Sequence, residues 1–554
     1  MKFLRVCFFL CWIVSSLVAQ SKPAADLIIT NANIWTVDAS RPKAHAVAVL
    51  NDRIVGVGSN VDVDFWRGPQ TRVIDAGGKL LLPGFNDAHV HFASGGLQLD
   101  SVQLTDANSP EEFVRRIAEQ VKKTPKGEWI QGGDWDETKW IPSNLPTRDA
   151  IDAVTPETPV FVYRYDGHMA VANSLALKLA GITAKTPDPP GGVIVHDARG
   201  NPTGALKDAA LDLMERVIPP YTHEQLLRAV KRALAHAASL GVTSVQSMNP
   251  EYPEIAVYSE LHERGELTTR IYAAPLITQV DDQAKIGIRH AFGDSYLRIG
   301  AVKAYSDGSL GSRTAYFYEP YSDEPANRGL LSDEMQPISV MRDRMMKADA
   351  AGLQICTHAI GDRGIATILD IYGEIVKAHG DADRRFRIEH AQHVAAKDFE
   401  RFAQLHVIAS VQPYHAIDDG RWAEGRIGHD RASRTYAFRS FLDHGVHLAF
   451  GTDWDVAPLN PILGLYAAVT RETLDGKNPG GWFPEQRLTV TEAVEAYTMG
   501  PAYAEFQEKE IRFNHARQAC RHGPAGHGHL CDSTGSDPRC ESRNDNCWWK
   551  NRVG

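Results

Sequence analysis

The sequence predicts an α/β protein built on a (β/α)8 TIM-type barrel, with a small β-sandwich domain and a large insertion after the first barrel strand. Three observations support this fold. Helix-like and strand-like segments alternate from Thr222 onward, short strands precede residue 80, and histidine, lysine and aspartate stand where successive strands end. In a barrel of this type the active groups come from the carboxyl ends of the strands, so the same pattern predicts a site.

Composition sets the class of protein. The chain has 554 residues, of which 43% are hydrophobic and 23% charged, values that are ordinary for a globular protein larger than one average domain. The formal net charge is −10, and the body contains no long basic run. Nucleic acid is therefore excluded as the main partner, whereas a small molecule is compatible with this charge.

Residues 1–19 have the layout of a secretory signal peptide. Lys2 and Arg5 precede an apolar run over residues 6–18, and Ala19 suits cleavage directly after it. The alternative interpretation is a membrane anchor, but the run is short for a span. We therefore expect an exported protein, periplasmic or secreted, with no stable membrane span after the signal is removed. A homo-oligomer stays open.

Residues 20–79 predict the N-terminal part of the β-sandwich. Five short strand-like segments follow one another here, and Asn51-Asp52 between two of them suits a tight hairpin. They cover residues 27–29, 33–37, 46–50, 53–57 and 72–75.

Residues 80–505 predict the barrel, because eight strand-like segments occur in them. They lie at residues 80–92, 242–245, 270–274, 299–305, 353–358, 386–390, 406–411 and 446–453. The first two are separated by a mixed segment, about residues 93–206, which is too long for a simple loop. We expect this segment to be an inserted subdomain that could cover the site.

The first predicted barrel strand ends in His89-Val90-His91. Alternate residues of a strand point to the same face, so the two imidazoles can be aimed at one point, and neutral imidazole is the commonest protein ligand of zinc. Alone, the pattern also suits a strand end with two exposed histidines. Further candidate ligands stand at the ends of the fourth, fifth, sixth and eighth strands, namely Lys303, His358, His390 and Asp453.

Four imidazoles, one lysine and one carboxylate could together hold two divalent metals. A lysine ammonium has three donors and no acceptor, so it cannot bind a cation, but a lysine carbamylated by CO₂ becomes an anion that can bridge two ions. A metal pair ~3.5–4 Å apart can share a hydroxide that is nucleophilic at neutral pH. Asp453 would then accept the proton as general base and pass it to a leaving nitrogen.

Five stretches of the chain resemble the amidohydrolase superfamily, and within it the large-insertion branch called amidohydrolase family 3. They are LPGFNDAHVH (82–91), VKAYSDGSLGSRTA (302–315), HAIGDR (358–363), EHAQ (389–392) and GTDW (451–454). The resemblance implies a metal-dependent hydrolase of C–N bonds in amides, formamides or related groups, usually with zinc. It also implies a β-sandwich built from both chain ends.

The same resemblance implies roles for individual residues. His89, His91, His358 and His390 would be metal ligands, Lys303 the carbamylated bridge between two zinc ions, and Asp453 both ligand and base. A deaminase or a cyclic-amide hydrolase with the same site is an alternative, as are a binding protein with a dead site and a non-functional product of a broken gene.

Six further residues in or beside the matching stretches are candidates for contact with the substrate. Arg313 could bind an anionic or carbonyl oxygen, and His415 could polarise a carbonyl. The alternatives are a surface arginine, a loop histidine and core tryptophans. The full candidate set is Trp135, Asp136, His168, Arg313, His415 and Trp454.

Residues 511–554 differ abruptly from the rest. They carry four of the seven cysteines and no amphipathic period. After back-translation and a shift of one nucleotide, the codons of residues 512–522 are compatible with GSITPGKLADM and those of residues 547–552 with VGGKIV. Both resemble the C-terminal strands that complete the β-sandwich in this family. We therefore expect an aberrant tail in place of the C-terminal sandwich strands, caused by a one-nucleotide frameshift near codon 510, either in the gene or in its sequencing.

Overall fold

The computed structural model describes residues 23–164, 169–190, 192–510 and 518–519. These residues form two compact units, which divide between Leu82 and Pro83. The predicted signal peptide and the predicted aberrant tail lie outside the described residues, apart from Gln518 and Ala519.

The first unit contains two β-sheets and one short helix. Antiparallel β4 and β5 pair Leu50 with Arg53, so Asn51-Asp52 forms the predicted tight hairpin, with Asn51 at a φ of 54°. Gln518–Ala519 pair antiparallel with β5, whose other neighbour is β4. The elements are β1 Leu27–Thr30, β2 Asn33–Trp35, β3 Lys43–Ala44, β4 Ala46–Leu50, β5 Arg53–Gly58, α1 Asn60–Asp64, β6 Arg72–Asp75 and β7 Leu80–Leu81.

The second unit begins with the first barrel strand, β8 (Phe85–Val90), and helix α2 (Phe92–Asp100), followed by the insertion. The insertion forms a six-stranded sheet of its own, in the order β13-β14-β12-β11-β10-β9. Its elements, with the helix that follows them, are β9 Val102–Gln103, α3 Pro110–Val121, β10 Gly132–Trp135, α4 Arg148–Asp152, β11 Phe161–Arg164, β12 Met169–Ala172, α5 Ser174–Leu179, β13 Gly192–His196, β14 Pro202–Asp208 and α6 Asp212–Glu215.

The remaining strands complete the barrel, and the predicted fold class is confirmed. Parallel ladders join consecutive strands, and the bridges Leu276–Lys303 and Val90–Trp454 connect the two halves into a closed ring. These strands are β15 Val242–Met248, β16 Arg270–Ala274, β18 Leu297–Ile299, β19 Ala301–Tyr305, β20 Gln354–Ala359, β21 Arg387–His390, β22 Ile408–Val411 and β23 Leu448–Phe450. The short strand β17 Phe292–Gly293 pairs antiparallel with β18 and is not part of the ring.

One predicted strand is divided in the structure. The segment at residues 299–305 splits at Gly300 into β18, which pairs with β16, and β19, which pairs with β20. Gly300 has a φ of 119°, and a Cβ there would lie 1.9 Å from the carbonyl oxygen of Arg289. Only glycine fits this backbone, so the break is built into the sequence.

The helices follow the strands as the alternating pattern predicts. Helix α7 begins at a capping box, in which Thr222 and Gln225 each bind the other's backbone N–H. None of the helices in the described part of the chain has the length and apolar composition needed to cross a membrane. They are α7 His223–Ser239, α8 Tyr252–Glu263, α9 Val280–Lys285, α10 Ile338–Ala350, α11 Asp362–His379, α12 Asp398–Gln404, α13 Pro413–Asp419, α14 Ala423–Ile427, α15 His429–Ala432, α16 Phe438–Asp443, α17 Pro461–Thr470, α18 Val490–Ala496 and α19 Met499–Ala504.

Candidate metal centre

The ends of the first and last barrel strands are joined directly at the site. The Asp453 N–H donates to the His89 carbonyl at 2.8 Å, and the His91 N–H donates to the Trp454 carbonyl at 2.5 Å. This pairing brings the Asp453 Oδ1 atom to 3.4 Å from His89 Nε2 and 3.3 Å from His91 Nε2. Three predicted ligands from opposite ends of the barrel sequence therefore meet.

The other three predicted ligands border the same point. Lys303 Nζ lies 3.3 Å from His89 Nε2. The ring centroids of His89 and His390 are 4.9 Å apart, and those of His390 and His358 are 4.6 Å apart. The structure thus brings all six predicted side chains together at one end of the barrel.

Backbone conformation helps to aim two of these side chains. His390 has a φ of 68° and Asp453 a φ of 61°. Both therefore lie in the left-handed region, which residues other than glycine seldom adopt. Such conformations persist only where surrounding structure enforces them, and they concentrate at functional sites. Here each occurs where the chain leaves the barrel wall.

Hydrogen bonds fix which nitrogen of three imidazoles faces the centre. His89 Nδ1 lies 2.7 Å from Glu389 Oε2, and His390 Nδ1 lies 2.8 Å from Gln412 Oε1. His358 uses the other nitrogen, with Nε2 at 3.2 Å from the Gly308 carbonyl oxygen. Each ring therefore binds a protein acceptor through one nitrogen and leaves the other for a cation, which is the usual arrangement of a metal-binding histidine.

Burial keeps the centre in the protonation states that bind cations. It lowers the pKa of His89 to about 4 and that of His358 to about 3, so both rings are neutral at pH 7. Burial likewise lowers the pKa of the Lys303 amine. Although burial opposes ionisation of Asp453, the neighbouring imidazoles of His415 and His91 hold its pKa well below the usual range.

The donor set fits a divalent metal. Asp453 Oδ1 is buried and has no hydrogen-bond partner among the described residues, although two ring nitrogens lie 3.3–3.4 Å away. His89, His91 and Asp453 offer ligand atoms that all lie within 4.8 Å of one another. Neutral imidazole and carboxylate are the ligands that zinc and similar cations take.

Two of the predicted substrate contacts border this centre. His415 Nε2 lies 3.3 Å from Asp453 Oδ2, whereas His89 and His91 lie near the other carboxylate oxygen, Oδ1. The Trp454 indole is buried against the Phe92 ring, with centroids 6.0 Å apart. It packs so closely over Gly95 that an added Cβ would lie 2.5 Å from the indole.

The remaining predicted contacts lie elsewhere. The Arg313 guanidinium pairs with Asp323 at 2.8 Å. The Trp135 ring is fully buried in the core of the insertion, and its N–H donates to the Val162 carbonyl at 2.9 Å, so it has a packing role instead of surface for a substrate. Asp136 lies 3.8 Å from the Arg164 guanidinium, and His168 is outside the described residues.

Comparison with known proteins agrees with this geometry. A family model described as "Amidohydrolase family" matches residues 72–514. This chain belongs to the amidohydrolase family. It is a metal-dependent hydrolase that acts on carbon–nitrogen bonds.

Three relatives cover nearly the whole of this amidohydrolase. Protein LONG AFTER FAR-RED 3 of Arabidopsis thaliana is 38% identical over 90% of this chain and 87% of its own. The putative amidohydrolase YtcJ of Bacillus subtilis and the N-substituted formamide deformylase of Arthrobacter pascens are each 30% identical, over 86% of this chain and 89% of theirs.

Two solved structures of metal-dependent hydrolases are similar to this chain over most of its length. An uncharacterized metal-dependent hydrolase from Pyrococcus horikoshii has a TM-score of 0.75 and 30% identity, covering 89% of this chain and 96% of its own. A second one, from Pyrococcus furiosus, has a TM-score of 0.73 and 29% identity, covering 87% and 95%.

Sequence reasoning missed the residues that contact the predicted ligands of this amidohydrolase from behind. Glu389 and Gln412 accept hydrogen bonds from His89 and His390, and Arg387 pairs with Glu389. One signal was available, because Arg387 and Glu389 are charged residues that alternate on one face of a predicted barrel strand. A charge buried in such a strand needs a partner, which the sequence alone does not identify.

Proposed function

We propose that this amidohydrolase hydrolyses a C–N bond in a small amide, formamide or related molecule, with two zinc ions as cofactor. The ligands in this proposal are His89, His91, His358, His390, Asp453 and a carbamylated Lys303. The observation that carries the proposal is the position of the Asp453 carboxylate, with one oxygen facing His89 and His91 and the other facing His415.

Lys303 supports the two-cation form of this proposal. The residue is 1% exposed, and burial lowers the pKa of its amine, which favours the neutral form that reacts with CO₂. The nitrogen forms a bond to the CO₂ carbon and loses one proton, and the product is an anion. Lys303 Nζ lies 3.3 Å from His89 Nε2, and, besides burial, its positive charge also helps to lower the pKa of His358 and of His390. An anion formed on Lys303 would therefore be close to both halves of the ligand set.

Zinc, when bound, would lower the pKa of water and so supply a nucleophile at neutral pH. Asp453 would accept a proton through its carboxylate and return it to the nitrogen that leaves. His415, at 3.3 Å from Asp453 Oδ2, would hold that carboxylate in place and could donate a hydrogen bond to the carbonyl oxygen of the substrate.

N-formyl and N-acyl amines are the substrate class that we favour. The relative from Arthrobacter pascens is an N-substituted formamide deformylase and is 30% identical over 86% of this chain. Deamination or opening of a cyclic amide would use the same residues and is the second candidate. Export of the chain and the frameshift in its tail remain predictions. Because of that tail, a non-functional product remains an alternative.

A substrate panel tests the proposal. The chain, loaded with zinc in bicarbonate buffer, is assayed against N-formyl amines, N-acyl amines, cyclic amides and aminopurines, before and after removal of the metal by a chelator. We expect release of formate or a carboxylic acid, loss of turnover with the chelator and recovery when zinc returns. Ammonia release from the aminopurines alone would favour the deaminase, and turnover unaffected by the chelator would contradict the proposal.

A further inference from the structure

Two opposite charges are buried inside the barrel next to the metal centre. Arg387 and Glu389 are both 0% exposed and lie two residues apart on β21, so both point into the barrel. The Arg387 Nε atom lies 2.7 Å from Glu389 Oε1. Barrel interiors are normally filled by branched apolar side chains, so an ion pair in this position calls for a reason.

Glu389 connects this ion pair to the metal centre. Its second oxygen, Oε2, lies 2.7 Å from His89 Nδ1. A carboxylate that accepts the Nδ1 proton places the other nitrogen, Nε2, in its unprotonated form, and Nε2 is the atom that faces Asp453 and Lys303. Glu389 thus selects the tautomer of His89 that can bind a cation.

Arg387 holds both Glu389 and the strand that carries His89. The Nη2 atom of Arg387 donates to the carbonyl oxygen of Ala88, the residue before His89, at 2.7 Å. It also donates to Ser410 Oγ on β22 at 3.0 Å. Nη1 donates to the side-chain oxygen of Gln246 on β15. The guanidinium therefore connects four barrel strands around the first histidine ligand.

We propose that Arg387 and Glu389 are positioning residues for the metal centre, with Glu389 setting the tautomer and orientation of His89 and Arg387 fixing Glu389. Neither residue touches the substrate. The inference rests on the metal centre of the proposed function. Many metal-binding histidines donate their second N–H to a carboxylate. Replacing that carboxylate typically lowers the metal affinity by about 10–100-fold.

The competing explanation is an ion pair that only stabilises the barrel. The chain offers a matched control for that explanation, because Glu505 is also a buried carboxylate, 1% exposed, and pairs with Arg298 at 3.0 Å. Glu505 contacts none of the six ligand side chains in the described contacts. Loss of its charge should weaken the fold without changing the affinity for the metal.

The test compares four forms of the full chain, the wild type and the variants Glu389→Gln, Glu505→Gln and Arg387→Met/Glu389→Gln. Zinc affinity is measured by competition with a chromophoric chelator, and the thermal midpoint is measured without metal. We expect both single variants to melt earlier than the wild type, but only Glu389→Gln to lose about 10–100-fold in zinc affinity. The double variant, which has no unpaired charge, should recover part of the midpoint and none of the affinity.

Three results would overturn the inference. Zinc affinity of Glu389→Gln equal to that of Glu505→Gln would show that the carboxylate does not position His89. Recovery of affinity together with the midpoint in the double variant would show a structural role alone. If the wild type itself bound no zinc, the proposed metal centre would fail, and the positioning role with it. Should Glu389→Gln not fold, the double variant carries the comparison.

Discussion

Asp87 holds together the ends of the two barrel strands that carry three of the proposed metal ligands. Its carboxylate is 1% exposed and accepts three hydrogen bonds, from Thr452 N at 2.9 Å, Thr452 Oγ1 at 2.6 Å and His89 N at 3.1 Å. Thr452 directly precedes Asp453. We therefore predict that Asp87→Ala weakens both the fold and the reaction, although Asp87 binds neither metal nor substrate.

The magnitude follows from the groups left without a partner. Each buried donor that loses its acceptor costs about 1–3 kcal/mol, and removing the buried carboxylate recovers part of that sum. We expect Asp87→Ala to lower the free energy of unfolding by about 3–5 kcal/mol. Thr452→Val is the matched control, because it removes only the hydroxyl and should cost about 1 kcal/mol.

Urea unfolding of the metal-free chains measures the first effect, and steady-state kinetics measure the second. Since a displacement of about 1 Å at a catalytic group can cost about 100-fold, kcat/KM of Asp87→Ala should fall by about that factor. The reasoning would be refuted by an unfolding free energy of Asp87→Ala within 1 kcal/mol of the wild type, the smallest deficit expected of a single lost hydrogen bond.

Three further predictions concern catalysis, pH and the tail. Asp453→Asn should lower kcat at least about 100-fold, the typical contribution of a general base, whereas Asp343→Asn, a surface carboxylate 74% exposed, should leave it unchanged; equal kcat values would contradict the role of Asp453. Burial lowers the pKa of His393 from 6.5 to about 3, so its contribution to stability is complete above pH 6.5 and is lost as the pH falls toward 3. In the metal-free chain, His393→Gln should therefore reduce the pH dependence of the unfolding free energy by about 1.4 kcal/mol per pH unit between pH 6 and pH 4, and parallel curves would contradict this. The chain as written should melt or aggregate at a lower temperature than one with the reading frame restored near codon 510, and equal melting temperatures would count against the frameshift.

Much of the fold could be predicted because it depends on local pattern. Apolar runs bounded by turn residues marked all eight barrel strands, and the long segment after the first strand indicated an insertion. The division at Gly300 was missed, since it depends on how closely the chain passes Arg289, a residue eleven positions earlier. The periodic pattern of hydrophobic residues does not indicate such a close approach of two backbone segments.

In the site, too, features that follow from local sequence could be predicted, and contacts between distant residues could not. His89, His91, Lys303, His358, His390 and Asp453 could be predicted because each stands at the end of a strand, and the barrel brings strand ends together. The neighbours of a side chain could not be predicted in this way. Arg313 pairs with Asp323, ten residues further along the chain, and Trp135 of β10 donates to Val162 of β11 inside the insertion. Neither pairing follows from the local hydrophobic pattern.

The most direct test of the account is the number of zinc ions per chain. The full chain and its Lys303→Met variant, which replaces the amine with an apolar side chain of similar length, are loaded with zinc in bicarbonate buffer and analysed by mass spectrometry of the metal. We predict two zinc ions per wild-type chain and at most one in the variant. A folded wild type without zinc, or a variant that retains two ions, would contradict it.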